Sequence, residues 1–92
     1  MIERTVTIRN ALGMHARAAA RFVHGAGAYQ CRVTVMREDR GDRRVDGKSI
    51  LGLLLLAAAR GAAIRISADG PDEAEALDAL CRLVESGFGE EP

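Results

Sequence analysis

The sequence predicts an α+β fold, an open-faced β-sandwich in which a four-stranded antiparallel sheet is covered on one face by three helices. Four segments show the two-residue alternation of a half-buried strand, three show helical periodicity, and their order along the chain is βαββαβα. The chain has only 92 residues. With so few strands, all three helices can cover one face of the sheet while the other face stays in contact with water.

The four predicted strands are recognised by β-branched residues that alternate with polar or charged ones. They are residues 2–8, 31–36, 43–45 and 63–67. A polar loop over residues 38–42 joins the second strand to the third, so these two are predicted to form a hairpin.

The three predicted helices are recognised by apolar periodicity and by residues typical of helix ends. They are residues 16–24, 50–58 and 71–86. The first is predicted to be ended by Gly25 and Gly27, and the second to begin after Ser49 as its N-cap and to be closed by Gly61. In the third, Pro71 is expected at the first helical position, and Gly87 ends the helix.

Charge and aromatic content argue against a nucleic-acid partner. The 13 lysines and arginines are balanced by 13 aspartates and glutamates, whereas a protein that follows a phosphate backbone carries a basic excess on one face. The chain contains one Tyr, two Phe and no Trp, so it lacks an aromatic platform on which bases could stack.

The two cysteines, Cys31 and Cys81, lie far apart among apolar neighbours, without the spacing of a zinc site, and are predicted to be small core residues. No metal or other cofactor is expected. The longest apolar stretch, residues 53–59, is too short to cross a membrane, and no signal peptide is recognised, so we expect a cytoplasmic protein. Residues 1–92 are expected to form a single domain, with residues 88–92 as a flexible tail.

His15 is the residue best placed for chemistry, because it opens the first predicted helix, where backbone N–H groups lack partners and the helix dipole is positive. A neutral imidazole nitrogen is a competent nucleophile for phosphoryl transfer. The amides of Ala16, Arg17 and Ala18 could bind a phosphate carried on that ring, with the Arg17 guanidinium adding positive charge. Alternatively, His15 is an ordinary surface residue and Arg17 a solvated charge. His24 lies near the other end of this helix, where a phosphate would be repelled, and is predicted to be structural or solvated.

Two motifs, in this order along the chain, resemble the histidine-containing phosphocarrier family HPr of the bacterial phosphoenolpyruvate-dependent phosphotransferase system, including its nitrogen-related branch. They are Gly13-Met14-His15-Ala16-Arg17, and Lys48-Ser49-Ile50-Leu51-Gly52 followed by Ala59-Arg60-Gly61-Ala62. The similarity extends from Thr5 to about Gly89. The resemblance does not distinguish a sugar pathway from a nitrogen-regulatory one.

The resemblance implies a stoichiometric phosphoryl carrier and not an enzyme. Enzyme I would phosphorylate His15 at Nδ1, Arg17 would neutralise the phosphate, and an enzyme IIA domain would accept the phosphoryl group. The sequence departs from the family at Ala18, where proline usually follows the arginine. Alanine restores one backbone N–H, which we expect to point at solvent or at the phosphate. The loop over residues 38–42 also looks longer than usual.

Ser49 is a second candidate through the same resemblance. In some HPr proteins the matching serine is phosphorylated by an ATP-dependent HPr kinase/phosphorylase, which weakens exchange with enzyme I. The plain alternative is that Ser49 only caps the second helix. A second functional hypothesis follows, namely a regulatory binding protein on the HPr scaffold that is switched by phosphorylation of Ser49.

The apolar run over residues 50–56 is longer than one buried helix face requires. Leu53 and Leu56 are predicted to turn inward, and Leu55 to join the core wholly or partly. The side chains left exposed are predicted to form a docking patch, which the resemblance places beside the active histidine. They are Ile50, Leu51 and Leu54. A monomer is expected, with no membrane partner.

Overall fold

The computed structural model describes residues 1–41 and 43–90. Its strands and helices follow the order that the sequence predicts. They are β1 (Ile2–Thr7), α1 (Ala16–Gly27), β2 (Arg32–Arg37), β3 (Arg44–Asp46), α2 (Ile50–Leu55), β4 (Ala63–Asp69) and α3 (Glu73–Glu85). Short 3₁₀ helices follow β2, over Glu38–Arg40, and α3, over Gly87–Gly89.

The four strands form one antiparallel sheet in the order β1-β4-β2-β3. The register places Val6 opposite Ile64, and Val35 opposite both Ile66 and Val45, so apolar side chains from neighbouring strands share one face. The helices cover that face, with α3 against β1 and β4 and α2 against β3. The predicted open-faced α+β sandwich is therefore confirmed.

The opposite face of the sheet carries polar and charged side chains. Ser67 Oγ donates a hydrogen bond to Glu3 at 2.7 Å, and Arg65 Nε donates to Glu38 at 2.8 Å. The Ser67 hydrogen bond, with smaller help from the charge of Arg44, holds the pKa of Glu3 below its usual value. These contacts lie on the face without helices, as an open sandwich requires.

The core lies between the sheet and the helices. Its largest fully buried side chains include Phe22 of α1, Ile66 of β4 and Leu80 of α3. Cys31 and Cys81 are both buried and carry free thiols, which confirms the prediction that they are small core residues.

Helix α1 is longer than predicted and runs through Gly25 to Gly27. The Leu80 and Leu83 side chains of α3 lie against the surface at Gly25, within van der Waals distance of where its Cβ would be. Packing between these two helices therefore outweighs the low helix propensity of glycine.

Helix α3 begins two residues later than predicted, because Asp72 is its N-cap residue and Pro71 precedes the helix. The Asp72 carboxylate makes no capping bond within α3. Instead it accepts hydrogen bonds from the backbone N–H groups of Gln30 (2.8 Å) and Cys31 (2.9 Å). The carboxylate thus joins the start of α3 to the start of β2.

Helix α2 ends at Leu55, three residues earlier than predicted. The chain leaves the helix through Ala57, whose φ of +52° is rare for a residue with a Cβ. The Arg37 guanidinium donates to the carbonyls of Leu56 (3.2 Å) and Ala57 (3.0 Å). These contacts satisfy carbonyl groups at the helix end that a longer helix would have bonded internally.

Replacing Ala57 with glycine is expected to raise the free energy of unfolding by about 0.5–1 kcal/mol. Glycine adopts a positive φ without the steric cost of a Cβ, and this gain exceeds the extra entropy that glycine gives the unfolded chain. Chemical denaturation of both proteins measures the change. The neighbouring Ala58→Gly is the control and should destabilise, because Ala58 is buried and has no positive φ. A less stable Ala57→Gly protein would contradict the prediction.

The expectation of a loose tail over residues 88–92 is wrong for residues 88–90. Phe88 is only 1% exposed and belongs to the core, and its carbonyl accepts a hydrogen bond from the Arg21 guanidinium. Glu90 contacts the segment that precedes α1. Residues 91 and 92 lie outside the described residues, as does Asp42 of the loop that was expected to be long.

Candidate functional site

His15 is the N-cap residue of α1 and has an extended backbone, with φ −80° and ψ 179°. Its carbonyl accepts the first helical hydrogen bond, from the Ala19 N–H at 2.8 Å. Its ring Nδ1 accepts from the backbone N–H of Arg17 at 3.3 Å. The ring therefore faces the positive end of the helix, where the sequence predicts it.

Gly13 explains how the chain reaches this position. Its φ is +67°, and a Cβ built there would lie 2.5 Å from the carbonyl oxygen of Ala58. The next residue, Met14, is buried, and its N–H donates to the same Ala58 carbonyl at 2.9 Å. Only glycine permits this close approach. The loop is thus fixed against the segment after α2, and His15 is fixed with it.

The other ring nitrogen of His15 contacts an acid that sequence reasoning missed. Nε2 lies 2.5 Å from Glu90 Oε2, and the other Glu90 oxygen accepts from Asn10 Nδ2 at 2.9 Å. The Asn10 amide also donates to the Gly13 carbonyl at 2.7 Å. The side chains of His15 and Glu90 are 25% and 14% exposed, so this contact is partly shielded from water.

The pKa of Glu90 is lowered in the folded protein. Burial acts to raise it, but the hydrogen bonds from Asn10 and His15 and the charges of His15 and Arg21 together outweigh the burial. The carboxylate therefore stays ionised at neutral pH. The ionised Glu90 carboxylate therefore stabilises the folded protein at pH values above the ordinary carboxyl pKa. This stabilisation is lost as the pH falls through the lowered pKa of Glu90.

The partners of the two ring nitrogens assign the tautomer of neutral His15. An ionised carboxylate only accepts hydrogen bonds, so Nε2 carries the proton and donates it to Glu90. A backbone N–H only donates, so Nδ1 is the acceptor, facing Arg17 N. The two contacts agree, and the lone pair of Nδ1 points to the start of α1.

An open cleft of about 700 Å³ lies over this ring and is lined by His15, Arg17, Arg21 and Glu90, among others. Arg17 is exposed, and its guanidinium makes no hydrogen bond or ion pair with the other described residues. The Ala18 side chain is fully buried. Within residues 1–41 and 43–90, the N–H groups of Ala16 and Ala18 have no protein acceptor. Of the residues predicted to bind a phosphate, His15, Ala16 and Arg17 line this cleft and Ala18 does not.

Ser49 is the N-cap residue of α2, as predicted, and its Oγ accepts a hydrogen bond from the Gly52 N–H at 3.0 Å. The neighbouring Lys48 donates from its side-chain amine to the Tyr29 carbonyl at 2.7 Å. His24 is exposed in the last turn of α1, consistent with the predicted solvated residue.

The side chains of α2 are buried or exposed according to their positions around the helix. Leu53 and Leu56, three residues apart, are buried, as predicted. Leu55 was expected in the core wholly or partly, and this is wrong, because it is 58% exposed. It lies two positions from Leu53, about 200° around the helix, and therefore on the opposite side. The side chains of the predicted patch are all exposed; they are Ile50, Leu51 and Leu54.

In the part of the chain that the structure describes, no group of three or more His, Cys, Asp or Glu residues could hold a metal ion. Among the same residues, no helix is both long enough and apolar enough to cross a membrane.

The family model for the PTS HPr component phosphorylation site matches residues 2–86. The chain belongs to the HPr family. The phosphocarrier protein HPr of Cupriavidus necator is 46% identical over 90 residues, which cover 98% of each chain. The structure resembles the HPr of Thermoanaerobacter tengcongensis, with a TM-score of 0.92 and 41% identity over the whole of both chains. A dimer of HPr from the same organism matches with a TM-score of 0.74 and 42% identity, over 98% of this chain and 100% of that one.

Glu90 contacts His15 at this HPr-family cleft, but the sequence did not indicate it. It is the first of two adjacent glutamates that follow Gly89, and it lies 75 residues from His15 along the chain. No local periodicity or spacing connects the two. The signal that could indicate this segment is Phe88, an aromatic residue within the stretch that the sequence predicts to be a flexible tail.

Proposed function

We propose that this protein is a stoichiometric phosphoryl carrier. His15 accepts a phosphoryl group at Nδ1 from enzyme I, which is itself charged by phosphoenolpyruvate, and passes it to an enzyme IIA domain in the cytoplasm. One observation carries the proposal: Nδ1 presents its lone pair at the positive end of α1, while Nε2 is engaged by Glu90. Membership of the HPr phosphocarrier family supports it.

The groups around Nδ1 suit a dianion that stays only briefly. The N–H groups of Ala16 and Ala18 have no acceptor among the described residues, so they can bind phosphate oxygens without giving up another bond. The helix dipole adds to this attraction. The exposed Arg17 guanidinium can approach the same oxygens and neutralise their charge.

The same geometry explains why a carrier would keep its phosphoryl group until an acceptor arrives. Hydrolysis needs a base that activates water behind the phosphorus atom. Among the described residues, Glu90 is the acid that contacts the ring, but its two oxygens are engaged by His15 and Asn10 on the Nε2 side, away from Nδ1. The acceptor must therefore be brought by the partner, and the protein acts as a substrate of enzymes.

Incubation with enzyme I, phosphoenolpyruvate and Mg²⁺ tests the proposal directly. Intact-mass analysis should show one acid-labile phosphoryl group on the wild-type protein and on His24→Ala, and none on His15→Ala. Addition of an enzyme IIA domain should then return the carrier to its original mass. A wild-type protein that gains no phosphate, or a His15→Ala protein that does, would overturn the assignment.

We propose that partners dock on three of the exposed apolar side chains of α2, which are Ile50, Leu51 and Leu54. Such a patch of modest area suits a complex that forms and dissociates quickly. It must be free in solution, so we propose that the active form is a monomer.

Leu54→Glu is expected to raise the KM for phosphorylation by enzyme I about tenfold, because it places a charge within the apolar contact. Steady-state kinetics measures this, and circular dichroism checks the fold. Ile2→Glu, a matched change at an exposed apolar residue of β1, serves as the control. Equal KM values for the two variants and the wild type would exclude this patch from docking.

A second candidate function is regulation through Ser49. The specific observation is that this half-buried N-cap directly precedes Ile50 and Leu51, so a phosphate on Oγ would add negative charge beside the proposed docking patch. Incubation with HPr kinase/phosphorylase and ATP, followed by mass spectrometry with Ser49→Ala as control, decides this. Absence of phosphate on Ser49 would leave Ser49 with its capping role alone.

A further inference from the structure

We infer that Glu90 is a positioning residue for phosphoryl transfer at His15. Its carboxylate fixes the ring with the proton on Nε2, and it balances the positive charge that the ring gains when Nδ1 becomes phosphorylated. This inference rests on the proposed carrier function and adds to it a residue from the opposite end of the chain.

The first support is that both oxygens of Glu90 are held. Oε2 lies 2.5 Å from His15 Nε2, and Oε1 accepts from Asn10 Nδ2 at 2.9 Å. Asn10 is buried, and its Nδ2 also donates to the Gly13 carbonyl at 2.7 Å. Reversing the Asn10 amide would place its oxygen against two acceptors, so the observed orientation is required. The carboxylate is therefore oriented by a buried donor as well as by the ring.

The second support is that the segment carrying Glu90 is anchored to the core. The Phe88 ring is fully buried with a φ of +59°, and the flanking Gly87 and Gly89 also have positive φ values. The Arg21 guanidinium binds the Phe88 carbonyl. A residue with a Cβ holds such a backbone only where the surroundings stabilise it. The turn thus brings Glu90 to the ring from a fixed base.

The third support is the chemistry of the transfer itself. The Nδ1 lone pair forms the new N–P bond, and the bond between phosphorus and the donor breaks, with its electron pair leaving on the donor. The Nε2 proton stays on the ring, which becomes a phosphorylated imidazolium. Its positive charge faces the Glu90 carboxylate, as in histidine–carboxylate pairs that orient and stabilise a charged ring. Transfer to an acceptor reverses these changes, and the ring returns to the neutral form.

Glu90 lies on the Nε2 side of the ring, so it does not cover Nδ1. This location distinguishes a positioning role from an inhibitory role, in which the segment carrying Glu90 would cover the nucleophile. An inhibitory segment would slow phosphorylation while it covers Nδ1, and removing the Glu90 contact would accelerate the reaction. A positioning residue predicts the opposite change.

The test compares Glu90→Gln, which keeps a neutral acceptor, and Glu90→Ala, which removes the acceptor, with Glu85→Gln as control. Glu85 is exposed at the end of α3 and makes no hydrogen bond or ion pair with the other described residues. Proton and nitrogen NMR of the unphosphorylated proteins reports on the ring without any partner. A protected, downfield Nε2–H resonance of His15 is expected in the wild type and in Glu85→Gln, weakened in Glu90→Gln and lost in Glu90→Ala.

Kinetics with enzyme I provides the second readout. We expect kcat to fall on the order of tenfold in Glu90→Ala and by less in Glu90→Gln, with KM unchanged. The comparison is with the outer hydrogen-bond partners of metal-binding histidines, which orient the ring in the same way and typically contribute about 10–100-fold. A wild-type rate, or a faster one, in a folded Glu90→Ala protein would overturn the inference and leave the carrier function intact. A wild-type protein that is not phosphorylated on His15 would overturn both. A missing wild-type Nε2–H resonance, with phosphorylation normal, would overturn the inference alone.

Discussion

Replacing Arg17 with alanine is expected to slow phosphorylation of His15 about 100-fold. Removal of one group aimed at the developing charge of a transition state typically has an effect of 10²–10³, and Arg17 is exposed to solvent, which places it at the lower end. The remaining rate would come from the N–H groups of Ala16 and Ala18 and from the helix dipole. Single-turnover phosphorylation by enzyme I, followed by mass spectrometry, measures the change.

Two further variants separate the role of Arg17 from a general loss of charge. Arg17→Lys should recover part of the rate, because lysine keeps the charge but cannot form a bidentate contact with phosphate oxygens. Arg32→Ala removes one exposed positive charge at the start of β2 and should react at the wild-type rate. Equal rates for Arg17→Ala and Arg32→Ala would contradict the role given to Arg17.

Replacing Phe88 with alanine is expected to lower the free energy of unfolding by about 3–5 kcal/mol, the usual cost of removing a fully buried aromatic ring. Phe88 is 1% exposed and packs within the same core as Phe22. Small domains have a total stability of about 5–15 kcal/mol, so the variant should be folded only in a narrow range of conditions. Urea denaturation followed by circular dichroism measures this loss.

The Phe88→Ala substitution should also disturb the contact between His15 and Glu90. Because the Phe88 turn carries Glu90, a folded Phe88→Ala protein is expected to lose the protected Nε2–H resonance of His15. Phe88→Leu keeps much of the buried apolar volume and should keep both most of the stability and the resonance. A loss of less than about 1 kcal/mol in Phe88→Ala would show that the segment is not anchored as described.

Elements whose signals are local were predictable from the sequence. The strands follow from alternation, and the N-cap positions of His15 and Ser49 follow from the residues around them. The end of α2 was not predictable, because it depends on Arg37, a residue of β2 whose guanidinium binds the carbonyls at that end. Helix ends that are determined by a distant side chain leave no trace in their own sequence.

The residues of the candidate site also differ in whether a local sequence signal indicates them. His15 and Arg17 lie two residues apart, and their motif could be found without coordinates. Glu90 approaches the ring only because the turn after α3 packs against α1, through Phe88 and Arg21. That approach is a property of tertiary packing, so the sequence alone could indicate the nucleophile but not the acid behind it.

The distance along the chain between the histidine and its acid also determines when the site becomes complete. A contact between residues 75 positions apart cannot form until the final helix has docked on the sheet. In refolding experiments, the protected imidazole proton should therefore reappear no earlier than the burial of the core. The histidine then serves as a built-in reporter of complete folding, and chains arrested before that step would present a nucleophile whose ring is free to rotate.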